Sequence, residues 1–399
     1  MSFLERDRRQ QKPRPPVRLW PRRSTSSRAP PLEGGSVEEP LQALHTVWCA
    51  CYHPRVRREV TLLILLAASV TAQPQSRVGI IDFFGLRQVP ENRARQALGI
   101  REGDTIPESE AAAKEFIHAS EQRLAALPGV RRAHISGVCC DAGKLILYVG
   151  IDEGGGDSLK FSPSPSGAAR LPADVLIAER AFEAALQAAV EKGDAGEDDT
   201  QGHSLMDNPG ARAIQQQFIT FAARDEKRLR TVLRESGDAD HRATAAQVLG
   251  YVKDKRSIVP DLVAAMADPD EGTRNNAMRA LSIFAGFADR HPELRIHVPP
   301  EPFVHLLNSF WWTDRNKASM ALTELAARRD PALLASLRAR ALDSLVEMAR
   351  WKSRLHAAAP FFLLGYVAGL PDEEIRKRWK ADDRKAVIRT ALNTAAPRR

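Results

Sequence analysis

Aromatic residues are scarce: 14 Phe, 6 Trp and 4 Tyr make up 6% of the 399 residues. A β-sandwich core draws heavily on such side chains. Their scarcity, with frequent Ala and Leu after residue 176, points to closely packed helices instead. Cysteine is also rare. Cys49 and Cys51 lie far upstream, and Cys139 and Cys140 are adjacent. That is neither a disulfide framework nor the paired spacing of a zinc site. The sequence holds no nucleophile elbow, phosphate loop or dinucleotide fingerprint. Gly154-Gly155-Gly156-Asp157 follows a strand pattern but leads into a linker and not a helix. His291, His297 and His305 share a Pro-rich stretch in a spacing that fits no metal site. These absences predict a protein without catalytic residues, metal or cofactor.

Positive charge is unevenly spread. Of 58 Lys/Arg and 50 Asp/Glu, 12 and 6 fall in residues 1–72, leaving 46 against 44 for the remainder. A near-neutral folded part carries no nucleic-acid footprint. Residues 1–55 are rich in Arg, Pro and Ser and lack apolar periodicity, so they are expected to be a disordered arm or an extension upstream of the true start. Residues 56–72 read as a signal peptide. Arg57 and Arg58 precede an apolar stretch from Val60 to Ala68, and Val70-Thr71-Ala72 places small residues at a cleavage site before Gln73. The apolar run is too short to span a bilayer comfortably, so no stable span is expected in the mature chain. The expected address is periplasmic or secreted.

Residues 76–153 read as a small domain in the order βααββ. Val78 to Phe84 is a strand pattern closed by Gly85. A helix runs from Pro90 to about Leu98, and a second one falls between Pro107 and Leu127, with Phe116, Leu124 and Leu127 toward the core. Two strands follow, near 130–138 and 144–151, with Asp141-Ala142-Gly143 as the hairpin link. Cys139 and Cys140 read as two small strand residues, one inward and one outward, with a vicinal disulfide as the alternative. Phe84-Gly85, Gly103-Asp104-x-Ile106, Leu124-x-x-Leu127-Pro128-Gly129-Val130 and Val149-Gly150-Ile151-Asp152-Glu153 resemble, in order and spacing, a POTRA domain. The resemblance implies a periplasmic protein-binding module whose sheet edge accepts an extended partner segment.

Residues 154–171 are Gly, Ser and Pro-rich and read as a linker. Residues 172–396 carry almost continuous helical pattern, interrupted at 193–209 by an acidic stretch read as a solvated loop. An Arg-x-x-Ala-x-x-x-apolar word occurs four times: Arg242, Ala245, Leu249; Arg274, Ala277, Leu281; Arg315, Ala318, Leu322; and Arg354, Ala357, Phe361. The Ala-to-Ala intervals are 32, 41 and 39 residues. This spacing puts each set on one helix face, where Ala permits close approach of a neighbour. The pattern resembles HEAT repeats, most clearly over 240–290. Asp268 and Arg274 match the family's Asp and Arg positions, which the resemblance implies pair between neighbouring repeats. Arg242, Arg315 and Arg354 have no Asp at the same distance, so the ladder is expected to be incomplete.

The expected architecture is therefore a small α+β domain followed by an all-α HEAT-type solenoid, mainly α overall. Its function is expected to be that of an exported scaffold or adaptor binding other proteins, those of the cell envelope above all. Trp311, Trp312 and Trp379 are the candidate partner-binding residues, with the basic run Arg376-Lys377-Arg378-Trp379-Lys380 beside the last. Two other readings stay open. One is a HEAT-like repeat enzyme of the lyase or base-excision type. The other, if the signal peptide is false, is a cytosolic regulatory helical-repeat protein.

Overall fold

The alternation in Val78-Gly-Ile-Ile-Asp-Phe-Phe84 forms β1 (Val78–Phe84) in the computed structural model, which describes residues 77–107, 109–154 and 159–395. The upstream arm and the signal-peptide segment lie outside the described residues. Two helices follow, α1 (Glu91–Leu98) and α2 (Glu110–Ala125), the latter capped by Ser109 accepting from the Ala112 N–H. Then come β2 (Arg132–Asp141) and β3 (Lys144–Asp152). The expected βααββ order is what forms. The sheet runs β1-β3-β2, with β3 central, parallel to β1 and antiparallel to β2. The hairpin turns through Ala142 and Gly143, both at positive φ, the conformation that matches the twist of the flanking strands.

Strand β3 reads Leu-Ile-Leu-Tyr-Val-Gly-Ile because both of its faces are covered. On one face Leu147, Val149 and Ile151 pack with Val78, Ile81, Ala94, Leu98, Leu124 and Ile135, against α1 and α2. On the other, Ile146 and Tyr148 join Phe84 and Val138 in the core of the helical region. The loop after β1 is closed by one carboxylate, since Glu153 accepts from the N–H groups of Arg87, Gln88 and Val89. Cys139 and Cys140 correct the sequence reading. They are joined as a vicinal disulfide, and both are exposed. Strand alternation fails there because the β2–β3 register shifts between Val138 and Asp141.

The helical region begins with α3 (Ala173–Glu191) and continues as helix pairs. These are α4 (Pro209–Glu235) with α5 (Ala239–Leu249), α6 (Lys255–Ala265) with α7 (Glu271–Arg290), and α8 (Glu301–Leu306) with α9 (Trp312–Leu325). After α10 (Pro331–Arg340) come α11 (Leu342–Ala349) with α12 (Arg354–Val367), then α13 (Asp372–Lys380) with α14 (Arg384–Ala395). The second helices stack in order, α5 on α7 on α9 on α12 on α14. Ala245, Ala277, Ala318 and Ala357 sit at these contacts with no exposed surface, and so do Leu249, Leu281, Leu322 and Phe361. Each stacking face is thus buried by its neighbour, which is how a repeat too small for its own core becomes stable.

Two stretches differ from expectation. Residues 159–171 are not a free spacer. Ser162 N–H donates to Ala267 O, Gly167 exchanges hydrogen bonds with Glu235 and Gly237, and Leu171 N–H donates to His241 Nδ1. Gly, Ser and Pro exclude helix here, but loops between stacked helices offer carbonyl groups that an extended strap can pair with. The acidic stretch 193–209 keeps Gly193, Asp194, Thr200, Gln201 and Asp207 exposed, but it is not a plain solvated loop. It forms a short hairpin, β4 (Glu197–Asp198) with β5 (Leu205–Met206). Met206 is fully buried, Glu197 pairs with Arg279, and Tyr251 donates its hydroxyl to Ser204 O at 2.9 Å.

Candidate functional site

The four repeat arginines lie near the starts of second helices, and each reaches an acid in the following pair. Arg242 grips Asp268 with two bonds of 2.7 and 2.8 Å and donates a third to Ser236 O. Arg274 holds Asp314 at 2.9 and 3.0 Å, and neither side chain has any exposed surface. Arg315 pairs with Glu347 at 2.8 Å and Arg354 with Asp382 at 3.0 Å. The ladder is therefore continuous, contrary to expectation. The acids stand 26, 40 and 32 residues beyond the first three arginines and come from different places, Asp268 before α7, Asp314 inside α9 and Glu347 inside α11, so no single offset reveals them. Bidentate pairing with extra donors to carbonyl oxygens is what allows such charges to be buried.

The third rung is shared with the sheet. Glu347 accepts from Arg315 and also from the Gly85 N–H at 3.2 Å, while the Arg315 guanidinium lies 4.7 Å over the Phe84 ring. Around it the sheet meets an aromatic socket. Tyr148 stacks on Trp312 at 4.9 Å and 13°, touches Trp351 at 4.9 Å, and bonds His356 Nδ1 through its hydroxyl at 2.6 Å. Phe84 meets Trp351 edge-on at 6.0 Å. Gly150 passes so close to Phe310 O that a Cβ would lie 1.9 Å from it, so no other residue fits. Burial and the nearby Lys317 charge push His356 down to about 3, leaving it neutral at ordinary pH. At the margin, Asp82 accepts from the Lys352 N–H at 2.8 Å and Lys352 Nζ reaches Glu102 and Ile81 O. Burial raises the Asp82 carboxyl above its usual range.

Residues 226–296 match the family of HEAT repeats. No curated protein matches the chain. The HEAT match covers α5, α6 and α7 and the first two ladder arginines, the stretch in which the repeat word is clearest. HEAT repeats imply a helical-repeat scaffold of the kind used for protein interaction.

The three tryptophans fall in different places. Trp312 is buried under β3 and holds the chain's own sheet. Trp311 is half-buried, 4.0 Å from the His134 ring. Trp379 turns inward to Phe361 at 5.0 Å and lies under Arg354 at 4.7 Å. Helices α7 and α9 are buried along most of their length, so their surface is covered by the sheet, the 159–171 strap and the 197–206 hairpin. Among the described residues no group of His, Cys, Asp or Glu is arranged to hold a metal ion, and no helix is long and apolar enough to cross a membrane. His291 bonds Glu293 at 3.2 Å.

Sequence reasoning missed Tyr148, Glu347, Lys352 and His356. None belongs to a repeated word, and each acts on a residue far away in sequence. The available signal was the polar-capable Tyr148 and the small Gly150 in an otherwise aliphatic strand.

Proposed function

We propose that this protein is an exported cell-envelope scaffold in which a POTRA-like sheet domain is fixed onto HEAT repeats and the combined body binds other proteins. The observation that carries the reading is the stack of helix pairs, HEAT-matching over residues 226–296, with its continuous arginine ladder. The signal pattern of residues 56–72 supports export. The βααββ order and the POTRA-like words support a strand-accepting module.

The sheet itself narrows where a strand would add. The start of β1 is already paired, Val78 with Asp104 and Gly103, and Ile81 O accepts from Arg95 and Lys352. On β2 the Ile135 N–H is taken by Glu121 at 2.8 Å. An extended partner therefore pairs with β2 beyond Ile135, toward Gly137. The test is fractionation with N-terminal sequencing, followed by crosslinking from the same fraction with a photoreactive residue at position 137. A mature start at Gln73 and a crosslinked envelope protein is the expected result. A full-length cytosolic protein rules out export. Crosslinks absent from 137 rule out strand addition there.

A further inference from the structure

The folded part of the chain is nearly neutral, yet its last helix pair is not. Residues 372–399 hold 9 Lys/Arg against 5 Asp/Glu, whereas 73–371 hold 37 against 39. Most of the acids at this end are engaged. Glu374 and Asp383 pair with Arg378, Asp382 with Arg354 and Arg384, and Asp372 with Arg329. Arg376, Lys377, Lys380, Lys385 and Arg389 make no ion pair among the described residues, and four of them are exposed. Glu373 is the one acid of this segment left unpaired. Helical spacing sets Arg376, Lys377 and Lys380 on one stripe of α13, and Lys385, Arg389 and Leu392 on one stripe of α14. Leu392, on the stripe of Lys385 and Arg389, has 41% of its surface exposed.

We propose that the outward face of α13 and α14 docks on an anionic lipid surface through these five cations, with Leu392 entering the headgroup layer. Charge complementarity selects an anionic occupant, and the lack of an anchor selects lipid over an acidic protein. A specific protein contact concentrates its energy in an aromatic or arginine anchor seated in a pocket. Here the segment's one aromatic, Trp379, is turned into the core, and Arg378 and Arg384 are committed to internal acids. Separate, mobile point charges around an aliphatic side chain suit a fluid layer of headgroups.

The test is flotation of the full chain with vesicles of phosphatidylcholine alone or mixed with phosphatidylglycerol, at low salt and at about 0.5 M salt. The expected result is association with the phosphatidylglycerol vesicles that weakens in salt. It falls about tenfold or more in K377E/K380E/K385E/R389E and less in L392S. The neutral variant K377Q/K380Q/K385Q/R389Q, which cannot introduce new repulsion, is expected between the two. Because every variant keeps the N-terminal segments, lipid binding through those segments would survive the substitutions, and that outcome overturns the proposal. Equal binding to both vesicle types also overturns it. So does capture of the wild type by immobilised polyglutamate without any vesicle binding, which would assign the face to an acidic protein.

Discussion

The two faces of one small sheet are held by different chemistry. Toward α1 and α2 the contacts are aliphatic and nearby in sequence, Leu147, Val149 and Ile151 against Ala94, Leu98 and Leu124. Toward the repeats they are aromatic and polar, Tyr148 with Trp312, Trp351 and His356, and Gly85 with Glu347. An aliphatic layer supplies burial without direction. A stacked, hydrogen-bonded ring fixes orientation as well. The first face makes the small domain, and the second makes it immobile on the solenoid.

The sharpest break in this contrast is Tyr148→Ala. It is expected to cost about 3–5 kcal/mol and, in hydrogen exchange, to expose the solenoid face of β3 while the α1 and α2 amides stay protected. Leu147→Ala is expected to cost about 3 kcal/mol with the opposite pattern, loss of protection in α1 and α2 first. Exchange lost equally from both sides in both variants would show that the faces do not act separately. Acid separates them further. His356 titrates near 3 in the folded chain, below its usual 6.5, so the unfolded chain binds the extra proton between those values. Stability from His356 is complete above about pH 6.5 and falls as pH drops toward 3. On the α1 and α2 side Glu121, buried but held below the usual carboxylate range by His134 and the Ile135 N–H, loses its contribution only as pH falls below its ordinary 4.5. Thermal unfolding of wild type and His356→Gln between pH 4 and 7 checks this, with a smaller pH slope expected in the variant. Tyr148→Phe, which keeps the stack and removes the hydroxyl, is expected to cost about 1 kcal/mol.

The aliphatic face was legible in the sequence and the aromatic one was not. Strand alternation and helical spacing name Leu124 and Phe116 as core because such patterns are local. Repeat positions such as Ala277 and Leu281 were equally plain, since a word that recurs declares its own face. The socket pairs residues far apart, 208 positions for Tyr148 with His356, and no period connects them. The ladder fell between these cases. Its arginines recur, but Asp314, Glu347 and Asp382 sit at shifting offsets that only the folded loops bring into line. Trp312 reads in the sequence as a side chain that binds a partner, and what it binds is the chain's own Tyr148. Composition reports what the 159–171 strap and the acidic hairpin cannot form and says nothing of what they lie against.

The distance between Asp82 and Lys352, 270 positions, also sets a timetable. A ribosome makes the sheet early and the socket late. At about 5–20 residues per second, roughly 10–40 s separate Tyr148 from His356. Until Trp312 and Trp351 are made, Phe84 and Tyr148 have none of the aromatic socket to meet, although α1 and α2 are already present for the other side. A face that ends fully covered is thus the part of the sheet longest open during synthesis, and it is the face that a chaperone attending the nascent chain would hold.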